Sequence, residues 1–178
     1  MPRRITFAVL MLLTTLAPVA AAESTSHLVL RDGITVDIVE RDFQPSGHKV
    51  VGCKSYDDHC RIDGRSPMGT IGVMPKTYVF RIAVNVKGHH YVLPSDGMYD
   101  AWGANRSENV QTKVRHFGGH CDTPTNCVFR GVFSDASETY VVEWKIADGI
   151  AERTVFTGDE EIVNLVMDHI DGPVTEYN

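Results

Sequence analysis

The stretch TYVVEWKIADGIAERTVFT, Thr139 to Thr157, constrains this chain more than any other. Two runs of β-branched and aromatic residues flank Asp148-Gly149. An Asp-Gly pair in that setting is the strongest short-range hairpin signal, because the tight turn needs residues that tolerate positive φ. With Asp148-Gly149 as the turn, Lys145 falls opposite Glu152, Trp144 opposite Arg153 and Val142 opposite Val155. One register thus yields an ion pair, a cation–π candidate and a β-branched pair.

The same punctuation recurs along the chain. LVLRDGITVDIV sets Asp32-Gly33 between two β-rich runs. TYVFRIAVNV, Thr77 to Val86, alternates so that Tyr78, Phe80, Ile82, Val84 and Val86 share one predicted buried face. A turn of two residues at Lys87-Gly88 then puts Tyr91 opposite Val84 and Leu93 opposite Ile82. VQTKVRHF and CVFRGVF supply further strands. Only the end changes period: TGDEEIVNLVMDHI reads as an amphipathic helix capped by Asp159 or Thr157, with Ile162, Leu165, Val166 and Ile170 in one stripe. The expected fold is mainly β (α+β), an antiparallel β-sheet or sandwich of about seven to nine strands with one C-terminal helix.

The first residues predict the compartment. MPRR is a positive leader, ITFAVLMLLTTLA is an apolar run too short to span a bilayer, and VAAAES offers small residues for cleavage. Residues 1–22 are expected to be a signal peptide, cut after Ala22, and 23–178 a single disulfide-braced domain in the periplasm with no membrane insertion after cleavage. Of 17 basic and 23 acidic side chains, Arg3 and Arg4 belong to the leader. The mature chain then carries 15 against 23, a net charge of about −8, which disfavours nucleic acid and anionic membrane surfaces and suits a basic protein partner.

Four cysteines in an exported chain read as disulfides. Spacing favours the local pairs Cys53–Cys60 and Cys121–Cys127, and the intervals lack the CxxC pattern of a zinc site. Six histidines lie between His48 and His120. Adjacent His89 and His90 point to opposite faces of a strand, His89 near the edge of the apolar face, so they cannot serve one site. Scattered surface histidines are the ordinary reading of this cluster. A metal site, were there one, would use His116 and His120 with Asp122 as third ligand. No serine occupies a GxSxG elbow, and the acidic pairs Asp57-Asp58 and Glu160-Glu161 fall in a disulfide loop and a helix's first turn. Neither catalytic residues nor a cofactor are expected.

The remaining signal is LPSDGMYDAWGANRSEN, Leu93 to Asn109. Large apolar side chains here stand among turn formers, in a connection longer than the handful of residues usual between strands. Met98, Tyr99, Asp100, Trp102 and Arg106 are the expected partner-binding residues, since aromatic residues, Met and Arg concentrate at protein interfaces. The competing reading is that Met98, Tyr99 and Trp102 fold back as a lid over the sheet. The segment LVLRDGITVDIVERDFQP, Leu28 to Pro45, resembles the first hairpin of the periplasmic inhibitors of invertebrate-type lysozyme. Their Ser-Gly-rich inhibitory loop has no counterpart, so the resemblance implies an inhibitor-like envelope protein and transfers no site residue. The expected function is a non-enzymatic periplasmic inhibitor or immunity factor that blocks an envelope-attacking enzyme or toxin. The alternative is a metal-dependent periplasmic enzyme or metal-binding protein.

Overall fold

The computed structural model describes residues 22–101, 117–134 and 138–170. The expected signal peptide up to residue 21, Trp102, Arg106, His116 and most of VQTKVRHF lie outside the described residues. Strands β1 (Glu23–Val29) and β2 (Thr35–Asp42) form the first hairpin, turning through Asp32 at φ 60°. β2 pairs with β5 (Thr77–Val86), and β5 with β6 (His89–Leu93), giving an antiparallel sheet of order β1-β2-β5-β6. Between β2 and β5 the chain makes a long excursion carrying a small hairpin of β3 (Val50–Val51) and β4 (Arg61–Ile62). A second four-stranded sheet has the order β10-β9-β8-β7. Its strands are β7 (Phe117–Thr123), β8 (Asn126–Ser134), β9 (Thr139–Ala147) and β10 (Ile150–Thr157).

The two large sheets face one another across a single core. Val36, Ile38, Ile82 and Val84 come from one side, Phe129, Val142, Trp144 and Ile146 from the other. Each such side chain contributes roughly 1.5–3 kcal/mol by leaving water, which is why period-2 alternation decides the fold. The mainly-β expectation therefore holds: among the described residues β3 and β4 bring the strands to ten, and one α-helix, α1 (Glu160–His169), follows them. Both disulfides are local, Cys53–Cys60 and Cys121–Cys127, and the second joins residues directly opposite in the β7–β8 register. No helix among the described residues is long and apolar enough to cross a membrane.

Two bulges correct the alternation. Val39 pairs with Arg81 but Glu40 with Val79, so Phe80 is an extra residue on β5. Thr77 and Val79 turn inward before the bulge and Ile82, Val84 and Val86 after it, while Tyr78 is half-buried and Phe80 exposed. A bulge re-aims side chains in this way wherever it inserts one residue into a ladder. In β10 the register shifts after Arg153, so Val142 faces Phe156 rather than Val155. Trp144 does lie opposite Arg153, yet it is fully buried, and the Arg153 guanidinium sits over Phe156 at 4.1 Å. Both His89 and His90 are exposed.

Asp159 caps α1, accepting from the backbone N–H groups of Glu161 and Ile162 at 3.1 and 3.2 Å. Of the expected stripe Val166 packs on the sheet, joined there by Val163, which the stripe did not include. Val163 and Val166 pack on Val132, Val141 and Val155 of the second sheet's outer face, leaving Ile162 and Leu165 exposed. Small β-branched side chains on that face admit valines at close range, and a helix of ten residues is oriented by this contact more than by its own moment.

The segment after β6 is held by both sheets. Met98 and Asp100 are 1% and 4% exposed, so two of the side chains expected to meet a partner are core residues. Met98 and Tyr99 alternate as neighbours in an extended stretch do, Met98 inward and Tyr99 outward, while Asp100 is buried at a left-handed φ of 41°. The Asp100 carboxylate accepts from the backbone N–H groups of Lys76 (2.9 Å) and Thr77 (2.8 Å). The Thr77 hydroxyl donates to buried Glu40 at 2.9 Å and lies 3.3 Å from Asp100. From the second sheet, Trp144 donates to the carbonyl of Pro94, Arg153 to that of Asp96 and Tyr140 to that of Tyr99. Burial, and then the nearby carboxylates of Glu40, Asp100 and Glu138, push the Tyr140 hydroxyl well above its ordinary pKa, so it stays a donor.

Removing the Asp100 acceptor strands two backbone donors at the sheet's end. Asp100→Ala is expected to destabilise the protein by at least about 2 kcal/mol in urea unfolding, since each orphaned buried donor costs about 1–3 kcal/mol. Asp96→Ala, at an exposed position four residues earlier, is expected to leave the midpoint unchanged.

Candidate functional site

An open cleft of about 420 Å³ lies where the excursion meets β5 and the segment Ser95–Tyr99. That volume falls in the range of small-molecule sites, about 300–1,000 Å³. Its walls follow from the fold. The β5 bulge turns Phe80 outward beside Tyr78, and the two rings meet edge to face at 6.4 Å. Arg41 on β2 places its guanidinium 3.3 Å from the Phe80 ring centroid and pairs with Glu23 at 2.7 Å, which fixes that ring. On the opposite wall Tyr99 meets buried Phe43 edge to face at 5.6 Å, and Phe43 stacks on His48 at 4.9 Å.

The polar part of the cleft comes from the excursion. His48 Nδ1 and Asp63 Oδ2 are 2.7 Å apart, and Asp63 Oδ1 accepts the Lys49 N–H at 2.9 Å. Asp63 sits at φ 53°, and the β3–β4 pairing brings it to His48 from fifteen positions along the chain. Hydrogen bonding from His48, and then from the Lys49 N–H, holds its carboxyl below the usual value. Tyr99 is half-buried; burial, and then the carboxylates of Asp63 and Asp96, raise its hydroxyl above the ordinary phenol range. A His–Asp pair alone does not define a site, because His27 and Asp37 make another at 2.6 Å on the exposed side of the β1–β2 hairpin. What distinguishes His48–Asp63 is the surrounding aromatic cleft.

Gly69 packs against the backbone of Tyr99, a residue of the cleft wall. It has φ +95°, and any Cβ there would collide with the Tyr99 carbonyl and meet the Tyr140 ring at 2.9 Å. This close approach lets Met68 and Tyr99 exchange backbone contact, with the Tyr99 N–H donating to the Met68 carbonyl at 3.0 Å.

A second surface lies on the excursion itself. Cys53–Cys60 and the buried Ile62 and Phe43 form a small core of their own. Outside it, Tyr56, Ile71 and Met74 are 68%, 45% and 37% exposed. Gly72 approaches the backbone of Ser55 and Tyr56 so closely that a Cβ has no room, which clamps the Ile71 turn onto the Tyr56 turn. Large apolar side chains are thus held in water by a covalently braced backbone.

Of the expected partner-binding residues, Tyr99 stands half-buried in the cleft wall, Met98 lines the cleft at 1% exposure and Asp100 is buried, while Trp102 and Arg106 lie outside the described residues. His120 and Asp122 are exposed on β7, and among the described residues no three His, Cys, Asp or Glu side chains converge on a metal-sized site. Sequence reasoning missed Phe43, His48, Asp63 and Phe80. The Asp63-Gly64 turn signal was readable, but the β5 bulge and the β3–β4 pairing were not. No protein-family model matches the chain, and neither the curated proteins nor the solved structures contain a match. The resemblance of the first hairpin to lysozyme inhibitors gains no support from them.

Because the Asp63 carboxyl is depressed in the folded state, its link to His48 is present above the ordinary Asp value of about 3.9 and is lost as pH falls through the lower folded value. An NMR titration is expected to place the Asp63 midpoint below the ordinary Asp value, and His48→Ala is expected to raise it.

Proposed function

We propose that this chain is an exported, non-enzymatic protein-binding module of the periplasm, an inhibitor or immunity factor that blocks an enzyme or toxin attacking the cell envelope. The supporting observation is the braced excursion, where Tyr56, Ile71 and Met74 stay exposed on a backbone fixed by Cys53–Cys60. A rigid apolar projection binds with little loss of conformational entropy, and aromatic residues and Met are the side chains that interfaces favour. Two local disulfides suit an oxidising compartment, and the acidic balance of the chain suits a basic partner. In this reading Tyr56 and Ile71 seat against the target and the sandwich serves as scaffold.

Affinity capture from the native envelope fraction, followed by assay of each captured hydrolase, tests this. One hydrolase is expected to bind and to lose activity on binding. Tyr56→Ala/Ile71→Ala is expected to weaken that inhibition at least tenfold, about 1.4 kcal/mol, with an unchanged melting temperature. A captured enzyme that keeps full activity, or equal inhibition by the variant, refutes the proposal.

A further inference from the structure

The excursion's outer surface leaves the aromatic cleft unused, and the cleft has its own chemistry. We propose that it is a saccharide-binding site, taking a neutral pyranose ring against Phe80 and Tyr99 with its hydroxyls bonded to the carboxylates and donors around them. The argument starts from the rings. Phe80 is 43% exposed only because the β5 bulge turns it out, and Arg41 immobilises it from one side. A ring face carries the negative part of the aromatic quadrupole. A pyranose presents a complementary flat face of weakly positive C–H groups and a rim of hydroxyls that both donate and accept.

The polar inventory matches that rim. Asp63 and Asp96 supply acceptors, while Arg65, Ser66 and Ser95 supply donors, all lining the same cleft. Asp63 and Asp96 outnumber Arg65 among the carboxylates and guanidiniums lining the cleft, which argues against a phosphate or nucleotide ligand, for which cations must outnumber carboxylates. An alkyl or lipid ligand would leave these polar groups desolvated without partners, at a cost.

An extended peptide added as a strand is also disfavoured, because the backbone lining the cleft is already paired. Val79 N–H donates to Met98, Tyr99 N–H to Met68, and Met68 N–H to Gly97. At Tyr78, β5 is paired with β2 on one side and bridged to Tyr99 on the other. Recognition therefore falls to side chains, and a stacked ring with edge hydrogen bonds uses all of them.

Saturation-transfer NMR on the purified protein with maltotriose, mannotriose and chitotriose tests the site. At least one is expected to receive saturation, strongest at ring C–H protons. Phe80→Ala and Asp96→Asn are each expected to weaken its affinity at least tenfold while thermal unfolding stays unchanged. Tyr56→Ala/Ile71→Ala, which alters only the excursion's outer surface, is expected to leave saccharide binding intact, so this inference and the inhibitor reading fail separately. Absence of saturation with all three sugars overturns the proposal. So does equal affinity in folded cleft variants, or loss of sugar binding in the excursion variant.

Discussion

The buried carboxylate of Asp100 is the interaction on which the rest of the structure depends. By accepting the N–H groups of Lys76 and Thr77, it ties the segment after β6 to the first residues of β5. That tie fixes the inward turn of Met98 and hence the outward turn of Tyr99. A carboxylate so placed gives up hydration, and charge-assisted hydrogen bonds from fixed backbone donors offset the loss. Thr77 joins Asp100 to Glu40, so β2, β5 and the segment share one polar node at the edge of an otherwise apolar core. Tyr140, Trp144 and Arg153 anchor the same segment from the second sheet through its carbonyls. A stretch rich in turn formers thereby becomes part of the wall between the sheets.

Around this node the molecule separates scaffold from surface. The sandwich supplies rigidity through burial. The excursion from Phe43 to Lys76 has a core of only a few side chains and relies on Cys53–Cys60 to keep its shape. Short covalent loops of this kind restrict the unfolded chain and stabilise by about 2–3 kcal/mol. The proposed partner surface and the proposed saccharide cleft lie on two sides of that same excursion, one using its exposed apolar side chains and the other its polar inner wall. Neither uses the groove beside α1, where Val163 and Val166 already cover the sheet.

Legibility in the sequence followed the range of the interactions. Hairpins closed by Asp32-Gly33, Lys87-Gly88 and Asp148-Gly149 were readable because turn chemistry and alternation are local. The partners of Cys53 and Cys121 were readable for the same reason. Phe80 was misplaced because a bulge depends on the neighbouring strand, and nothing within TYVFRIAVNV marks the inserted residue. The Val142 pairing failed on the second bulge in the same way. Met98 and Asp100 were assigned to a partner surface because composition resembled an interface, whereas their burial rests on contacts with Met68, Lys76 and Thr77.

By itself, then, the sequence determined the antiparallel β class and the terminal helix, narrowed its cap to Asp159 or Thr157 and favoured the two local disulfides, since each rests on residues a few positions apart. Tertiary structure decided which aromatic residues meet solvent, that His48 and Asp63 share a cleft, and that Asp100 is a structural acceptor. Those outcomes depend on pairings across sheets and on two inserted residues that shift the period. A period-2 pattern carries no memory of such a shift until the partner strand is in place.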